Sequence, residues 1–386
     1  MEFSDEQSEE EKSEGMKNII IYYPFTVASN PKSGSALRPV EMMKAFEAYA
    51  KKYELEMIVI SGTSKERRAL WKKIVEEKKH EQTLFCYSEN QTIPLWLTDP
   101  GHKPQDWKID KDVFQTLKNL NVPIGVFYRD VYWKFDELYS LKGLKKFVMQ
   151  TIYKMEEKFY EKYVHTIFLP SDAMGQYVNI RTEKMALPPG GRFTEIRVNT
   201  NEIQQPFKGI YVGGINNEDY GLSTLVDAYN LLNKDSVLGE LIIVCREDEF
   251  SQLSKEDKEK INKDYISLKH VSGAELQQVY EEVDFAFIPR KRSIYNDFAV
   301  PIKLVEYLTA GLPIIATNCS AQEDFIQSGP YGVITTDDAE GLVQGMQSIK
   351  PHFSTYKRNI QQSFLQKHAW NERAEQAAHA LIGGIK

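Results

Sequence analysis

The strongest constraint on the fold is an alternation that runs through the chain: short apolar, β-branched or aromatic runs, each followed by a turn and a longer amphipathic stretch. The runs at 18–23 (NIIIYY), 56–61 (EMIVIS), 83–88 (TLFCYS), 123–128 (PIGVFY) and 165–171 (HTIFLPS) are separated by helical patterns at 40–53, 64–79, around 112–120 and at 141–163. Spacing of this kind predicts a parallel α/β sheet with crossover helices. At 386 residues the chain is too long for one ordinary core, and it suits two domains of about 150 to 200 residues each. LPPGGRF at 187–193 holds two prolines and two glycines, so no periodic element crosses it. The division that follows is a first domain over 16–192, a linker over 193–207, a second domain over 208–368 and a final helical segment over 369–386. The second domain repeats the alternation, with GIYVGG at 209–214, ELIIVC at 240–245, SLKHVSG at 267–273, DFAFIP at 284–289 and IIAT at 314–317.

Charge removes several classes of function. The formal net charge is −7, and residues 1–15 (MEFSDEQSEEEKSEG) carry seven acids and one lysine. The rest is nearly neutral, so no basic excess is left to hold a nucleic acid. The acidic, apolar-poor start is expected to be a disordered leader or tag, with Met16 as the natural start. No apolar run approaches the roughly 18 residues of a spanning helix, and a cytoplasmic protein is expected. Cys86, Cys245 and Cys319 stand apart in strand-like contexts, which predicts neither disulfide nor zinc site. Asp110-Lys111-Asp112 has the form of a metal-binding D-x-D, but it precedes an amphipathic helix, where aspartate caps N–H groups. No dinucleotide fingerprint follows the first strand, which argues against a dehydrogenase.

The densest chemistry lies in NDFAVPIKLVEYLTAGLPIIATNCSAQE at 296–323. Pro301 suits the first position of a helix that runs to Gly311, and Pro313 bars continuation before a buried strand at 314–317. Lys303 and Glu306, three apart, share one face of the first turn, while Leu304, Val305 and Leu308 supply the buried side. A helix N-terminus already favours phosphate. The ammonium can meet a diphosphate and the carboxylate can accept from ribose hydroxyls. A capped helix with a surface Lys–Glu pair is the plainer alternative.

This stretch resembles the P-x-K-L-x-E-Y-L-x-A-G-x-P donor motif of retaining glycosyltransferases of the GT-B fold, the family 4 or group 1 type of bacterial polysaccharide biosynthesis. The resemblance implies two Rossmann-like domains facing a cleft, with the C-terminal helix crossing back to the first. It also implies that Lys303 contacts the donor diphosphate and Glu306 the ribose, with no metal or other cofactor. Many relatives carry a further glutamate eight residues before the second one, near the donor sugar. Phe298 holds that register here and Asp297 is one residue off, so the backbone from Asn296 to Ala299 is expected to serve instead. Relatives also place a glycine turn at Gly213-Gly214, followed by a basic pair that this chain lacks; Arg246, Arg290, Lys291 and Arg292, after two strand ends, are the candidates to replace it. Val271, after a third strand, falls where relatives read the base through backbone groups. The expected catalytic set is therefore Lys303, Arg246 and Asp297, with Gly213, Gly214, Val271, Arg290, Asn296, Phe298, Ala299 and Glu306 binding the nucleotide sugar.

The first domain supplies acceptor candidates. Ser33, Gly34, Ser35 and Arg38 lie in a Gly/Ser/Pro-rich loop after the first strand, where open α/β sheets bind ligands. Arg129-Asp130-Val131-Tyr132-Trp133 follows a central strand, and its aromatics either stack on a saccharide or fill core around an Arg–Asp pair. In helix 141–163, Leu144, Val148, Ile152, Met155 and Phe159 form one stripe, expected to face the core, and Lys142, Lys145, Lys146, Lys154, Lys158 and Lys162 crowd the rest. That mixture of lysines and aromatics either lies solvated or rests on a membrane surface. The expected partners are a nucleotide sugar, UDP-linked, and a saccharide or lipid-linked saccharide at the inner face of the membrane. A catalytically silent subunit of the same fold and a nucleotide-sugar epimerase are the alternatives.

Overall fold

The computed structural model describes residues 16–29, 31, 34–192, 195–196 and 203–383. The acidic leader, Ser33 and most of the 193–207 linker lie outside the described residues.

Two parallel six-stranded sheets form the frame. In the first, β1 (Asn18–Tyr22), β2 (Glu56–Ile60), β3 (Thr83–Glu89), β4 (Ile124–Phe127), β5 (Thr166–Leu169) and β6 (Glu183–Ala186) are ordered 2-1-3-4-5-6. Helices α1 (Gly34–Lys52), α2 (Ser64–Glu76), α3 (Ile109–Asn119) and α4 (Gly143–Tyr163) cover it. The second sheet comprises β7 (Phe207–Val212), β8 (Gly239–Val244), β9 (Ile266–Lys269), β10 (Phe285–Ile288), β11 (Ile314–Thr317) and β12 (Gly332–Thr335), ordered 12-11-10-7-8-9. Around it lie α5 (Leu222–Leu232), α6 (Gly273–Glu281), α7 (Ile294–Phe298), α8 (Ile302–Thr309), α9 (Ser320–Gln327) and α10 (Ala339–Ile349). Ile314, Ala286, Ile210 and Ile242 stand side by side across four strands and share one core. Their chain neighbours Phe285 and Leu241 face the other core, as the two-residue strand period requires.

Strand order reverses between β1 and β3 and between β7 and β10. Crevices open at such points, beyond the carboxyl ends of the strands. The chain crosses between domains twice, side by side. Gly191 N–H donates to the His368 carbonyl at 2.8 Å and Trp370 N–H to the Gly191 carbonyl at 3.0 Å. The last helix, α11 (Trp370–Ile382), then buries Trp370, Ala374, Ala377 and Ala378 among Ile19, Tyr23 and Phe46 of the first domain.

Five sequence expectations need correction. Helix α1 begins at Gly34 instead of Val40, so the expected loop residues Gly34, Ser35 and Arg38 sit in its first turns. Pro301 precedes α8 in extended conformation, one residue earlier than expected. Strands β6 and β12, both partly exposed edge strands, stand outside the expected runs. Asp110 does not cap α3: it is buried against Arg67 at 3.1 Å and accepts from Tyr22 Oη at 2.6 Å, while Asp106 accepts the N–H groups of Lys108 and Ile109.

The fifth correction is the face of α4. It buries Tyr153, Glu156, Glu157, Phe159, Tyr160 and Tyr163, and leaves Leu144, Phe147, Val148 and Met155 exposed. Hydropathy misjudged the helix because its buried acids find partners inside the protein. Glu157 pairs with Lys134 at 2.6 Å, and Glu156 Oε1 accepts from Leu95 N–H at 2.9 Å and Tyr160 Oη at 3.0 Å. Burial raises the Glu156 carboxyl from 4.5 to about 8. The folded state therefore holds a proton that the unfolded state releases first, so this group's contribution to stability is full below 4.5 and is lost as pH rises toward about 8. Glu156→Gln, which keeps the oxygen acceptor and cannot ionise, is expected to gain on the parent in thermal melts across that window; a constant difference in melting temperature would show that Glu156 titrates normally.

Candidate functional site

A cavity of about 760 Å³ lies between the domains at the strand carboxyl ends. From the second domain it is lined by Gly213 and Gly214 after β7, Arg246 after β8, Arg290 after β10, and Phe298, Ala299, Pro301, Ile302, Lys303 and Glu306 around α8. From the first come Gly34 and Arg38 of α1, Thr92, Arg129 and Asp130.

Helix α8 is held in place from below. Leu304, Val305, Tyr307 and Leu308 are buried, and Tyr307 Oη accepts from Val212 N–H at 2.8 Å, fastening the helix to the strand end before the glycine turn. No side chain caps its N-terminus. Orphan N–H groups there are an anion site when they face a cavity. Lys303 and Glu306 hydrogen-bond to each other, with both side chains about one third exposed at the rim. At the other end Gly311 takes φ +75°, a left-handed conformation that closes the helix with little strain only as glycine.

Arg290 differs from the other candidate cations. Its half-buried guanidinium lines the cavity, and desolvation pushes its pKa below the ordinary value. Nη1 donates to Asn296 Oδ1 at 3.3 Å, and among the described residues no carboxylate is paired with it. Asn296 is itself locked, donating to the carbonyls of Asp219 and Lys291. Arg246 is exposed and 3.7 Å from Glu249, Lys291 lies near Glu218 and Arg292 pairs with Asp297 at 3.3 Å.

Asp297, Asn296, Val271, Lys291 and Arg292 fall outside the described lining. Asp297 points away from the cavity because its neighbours Asn296 and Phe298 take the buried faces of the one-turn helix α7; its carboxylate accepts from Ser320 N–H at the start of α9 and from Arg292. Asn296 acts through Arg290. Val271 packs against the second-domain core, and His270 Nδ1 is bonded to the Cys245 carbonyl at 2.9 Å. Phe298 belongs to the first domain's core: it packs on Phe135, Tyr177 and Tyr295, and its carbonyl accepts from Ser171 Oγ at 2.6 Å. Ser35 contributes its backbone to the first turn of α1.

Across the cleft, Arg129 pairs with the buried Glu89 at 3.4 Å. Asp130 accepts from Tyr132 N–H and from Tyr295 Oη of the second domain at 2.9 Å, and burial raises its carboxyl. Of the two alternatives for this segment, the aromatics fill core, with Trp133 stacked on Tyr153 at 4.9 Å and Tyr132 packed beside them, but the ion pair is Arg129–Glu89 and not Arg129–Asp130. Gly34 packs directly on Ile302, which a Cβ would meet at 2.8 Å, so the first turns of α1 and α8 touch. Tyr295, Tyr307 and Glu89 were not legible, since each acts through a contact far away in sequence. Among the described residues no three His, Cys, Asp or Glu side chains group as metal ligands, and no helix is long and apolar enough to cross a membrane.

Residues 206–350 match the family model described as glycosyl transferases group 1. Solved structures share the whole architecture at low identity. Sucrose-phosphate synthase from Thermosynechococcus elongatus is 13% identical over 93% of this chain and 97% of that one, with a TM-score of 0.58. HepE from Anabaena, solved in complex with UDP-glucose, is 14% identical over 96% of this chain and 100% of its own, with a TM-score of 0.58. WaaG, a glycosyltransferase involved in lipopolysaccharide biosynthesis, is 15% identical over 95% and 100%, with a TM-score of 0.55. No curated protein matches the chain. Fold and cleft together are those of the two-domain GT-B class. Within that fold, the domain that carries α8 is of the group 1 glycosyltransferase type over residues 206–350.

Proposed function

We propose that the protein moves a hexose-type sugar from a UDP-linked donor to a saccharide acceptor, with retention at the anomeric carbon and without a metal. The observation that carries this reading is Arg290, a half-buried guanidinium that lines the cavity and is held by a neutral amide. A partly desolvated cation with no carboxylate partner among the described residues favours a ligand that supplies the anion. The diphosphate sits between Arg290, Lys303 and the first N–H groups of α8, and Glu306 turns from Lys303 to the ribose hydroxyls. These groups stabilise the negative charge that builds on the diphosphate as its bond to the sugar breaks. An acceptor hydroxyl attacks from the same face and gives its proton to the departing phosphate oxygen.

The test is turnover of labelled UDP-hexose with saccharide acceptors in excess chelator, with the product's anomer assigned by NMR. UDP release and a product of unchanged configuration are expected. Strict dependence on manganese would remove the metal-free mechanism, an inverted product would remove retention, and free isomerised sugar without acceptor would make the protein an epimerase.

A lipid-linked acceptor at the inner face of the membrane fits the surface of α4. Leu144, Phe147, Val148 and Met155 form one exposed apolar stripe, flanked by the exposed Lys142, Lys145, Lys154 and Lys158. Such a helix can lie in a headgroup layer, where each lysine near anionic lipid contributes about 1 kcal/mol. Sedimentation with phosphatidylglycerol vesicles is expected to weaken with salt and to be lost in Phe147→Glu; no binding at any lipid composition would contradict it.

A further inference from the structure

The donor side of the cavity accounts for Arg290, Arg246 and Lys303, but a second pair of arginines lines it from the first domain. Arg38 is 5% exposed, and its guanidinium stacks on the Phe127 ring with Cζ 3.4 Å from the centroid. Glu89 lies between the two, its Oε1 3.4 Å from Arg38 Nε and its Oε2 3.4 Å from Arg129 Nη2. Glu89 Oε1 also accepts from Tyr87 Oη at 2.9 Å. Buried Nη2 of Arg38 has no hydrogen-bond partner among the described residues.

The cluster of arginines extends to α11. Arg373 of α11 is also buried, and burial together with the Arg38 charge lowers it to about 9, which leaves it protonated at neutral pH. Against Arg38, Arg129 and Arg373 stand Glu89 and Asp130; Glu41 is taken by Arg192 and Lys44. Glu372 of α11 in turn faces Arg373. Arg373 spends its donors on the Pro188 and Lys367 carbonyls, Gln376 and His368, so the uncommitted capacity lies at Arg38, in the cavity wall.

We propose that Arg38, with Arg129 beside it, seats an oxyanion carried by the acceptor: the acceptor is an anionic saccharide, with a carboxylate or a phosphate close to the hydroxyl that reacts. The proposal rests on the glycosyl-transfer reading above and names the substrate class of its second site. A planar guanidinium fixed against an aromatic ring holds its unpartnered Nη2 in a set direction for an oxyanion, a geometry lysine does not offer. Glu89 holds both side chains in place, so the anion meets a site whose order is already set.

The test titrates the UDP-saturated protein with glucose, glucuronate and glucose 6-phosphate, then repeats the series with Arg38→Gln and Arg38→Lys. At least one anion is expected to bind about tenfold or more tighter than glucose, the size of one charge-assisted contact. Which anion wins separates a uronic acid from a phosphate. Arg38→Gln is expected to bring the anion-to-neutral ratio to within about twofold of one, with partial recovery in Arg38→Lys; a structural role would lower all affinities together and preserve the ratio. Equal affinity for the anions and glucose in the parent, or binding of neither anion, overturns the proposal. So does a tenfold loss of UDP affinity in Arg38→Gln with the ratio intact, which would assign the arginines to the donor diphosphate. Failure of the parent to bind UDP at all would instead sink the glycosyl-transfer reading.

Discussion

Lys303→Ala is expected to lower donor kcat/KM by about 10- to 150-fold with the fold intact, because the contact it loses is charge-assisted and strengthens as the diphosphate departs. Glu306→Ala should act mainly through donor affinity, since ribose contacts are the same in ground state and transition state. Neither residue holds α8 in place: that is done by Leu304, Val305, Tyr307 and Leu308. Unchanged melting temperatures are therefore the control, and steady-state kinetics of both variants with labelled donor is the measurement. Parent-like turnover in either would show that the donor diphosphate lies elsewhere.

Phe298→Glu is expected to loosen the joint between the domains without raising activity. The substitution restores a carboxylate at the register where the resembled family carries one, so it looks like a repair. In this protein the side chain is 2% exposed among Phe135, Tyr177 and Tyr295, all but the last from the first domain. Removing a buried phenyl ring costs roughly 3–5 kcal/mol, and the carboxylate adds a desolvation cost of its own. Phe298→Leu keeps most of the packing and should cost much less. Urea unfolding of the two variants checks the order. A parent-like midpoint for Phe298→Glu, together with faster donor turnover, would place residue 298 beside the donor sugar.

The central strands were readable because each is a run of apolar residues buried on both faces, as at Ile19–Ile21 and Ile314–Ala316. Edge strand β6 was not, because its exposed half carries Glu183 and Lys184 in place of apolar residues. Lys303, Glu306 and the buried side of α8 followed from helical spacing alone, and the structure places both charged residues in the cavity wall. What spacing could not supply is direction in short or polar elements. Asp297 and Asn296 are adjacent in a one-turn helix, yet one braces α9 and the other holds Arg290. The α4 stripe failed for a related reason. Glu156 and Glu157 look like surface residues until Leu95 N–H and Lys134, each more than twenty residues away in sequence, are brought against them. Arg38 was a candidate through its loop, but the Glu89 and Phe127 contacts that distinguish it are tertiary.

The central claim is that the cavity wall formed by Arg290, Lys303 and the start of α8 receives the diphosphate of a nucleotide sugar. Calorimetric titration of the parent with UDP, UMP and uridine tests it most directly, because the three ligands differ only in phosphate. Affinity is expected to fall at each step, by about tenfold or more between UDP and UMP, as charge-assisted contacts are lost. Equal affinities for UDP and UMP, or no binding of UDP, would contradict it.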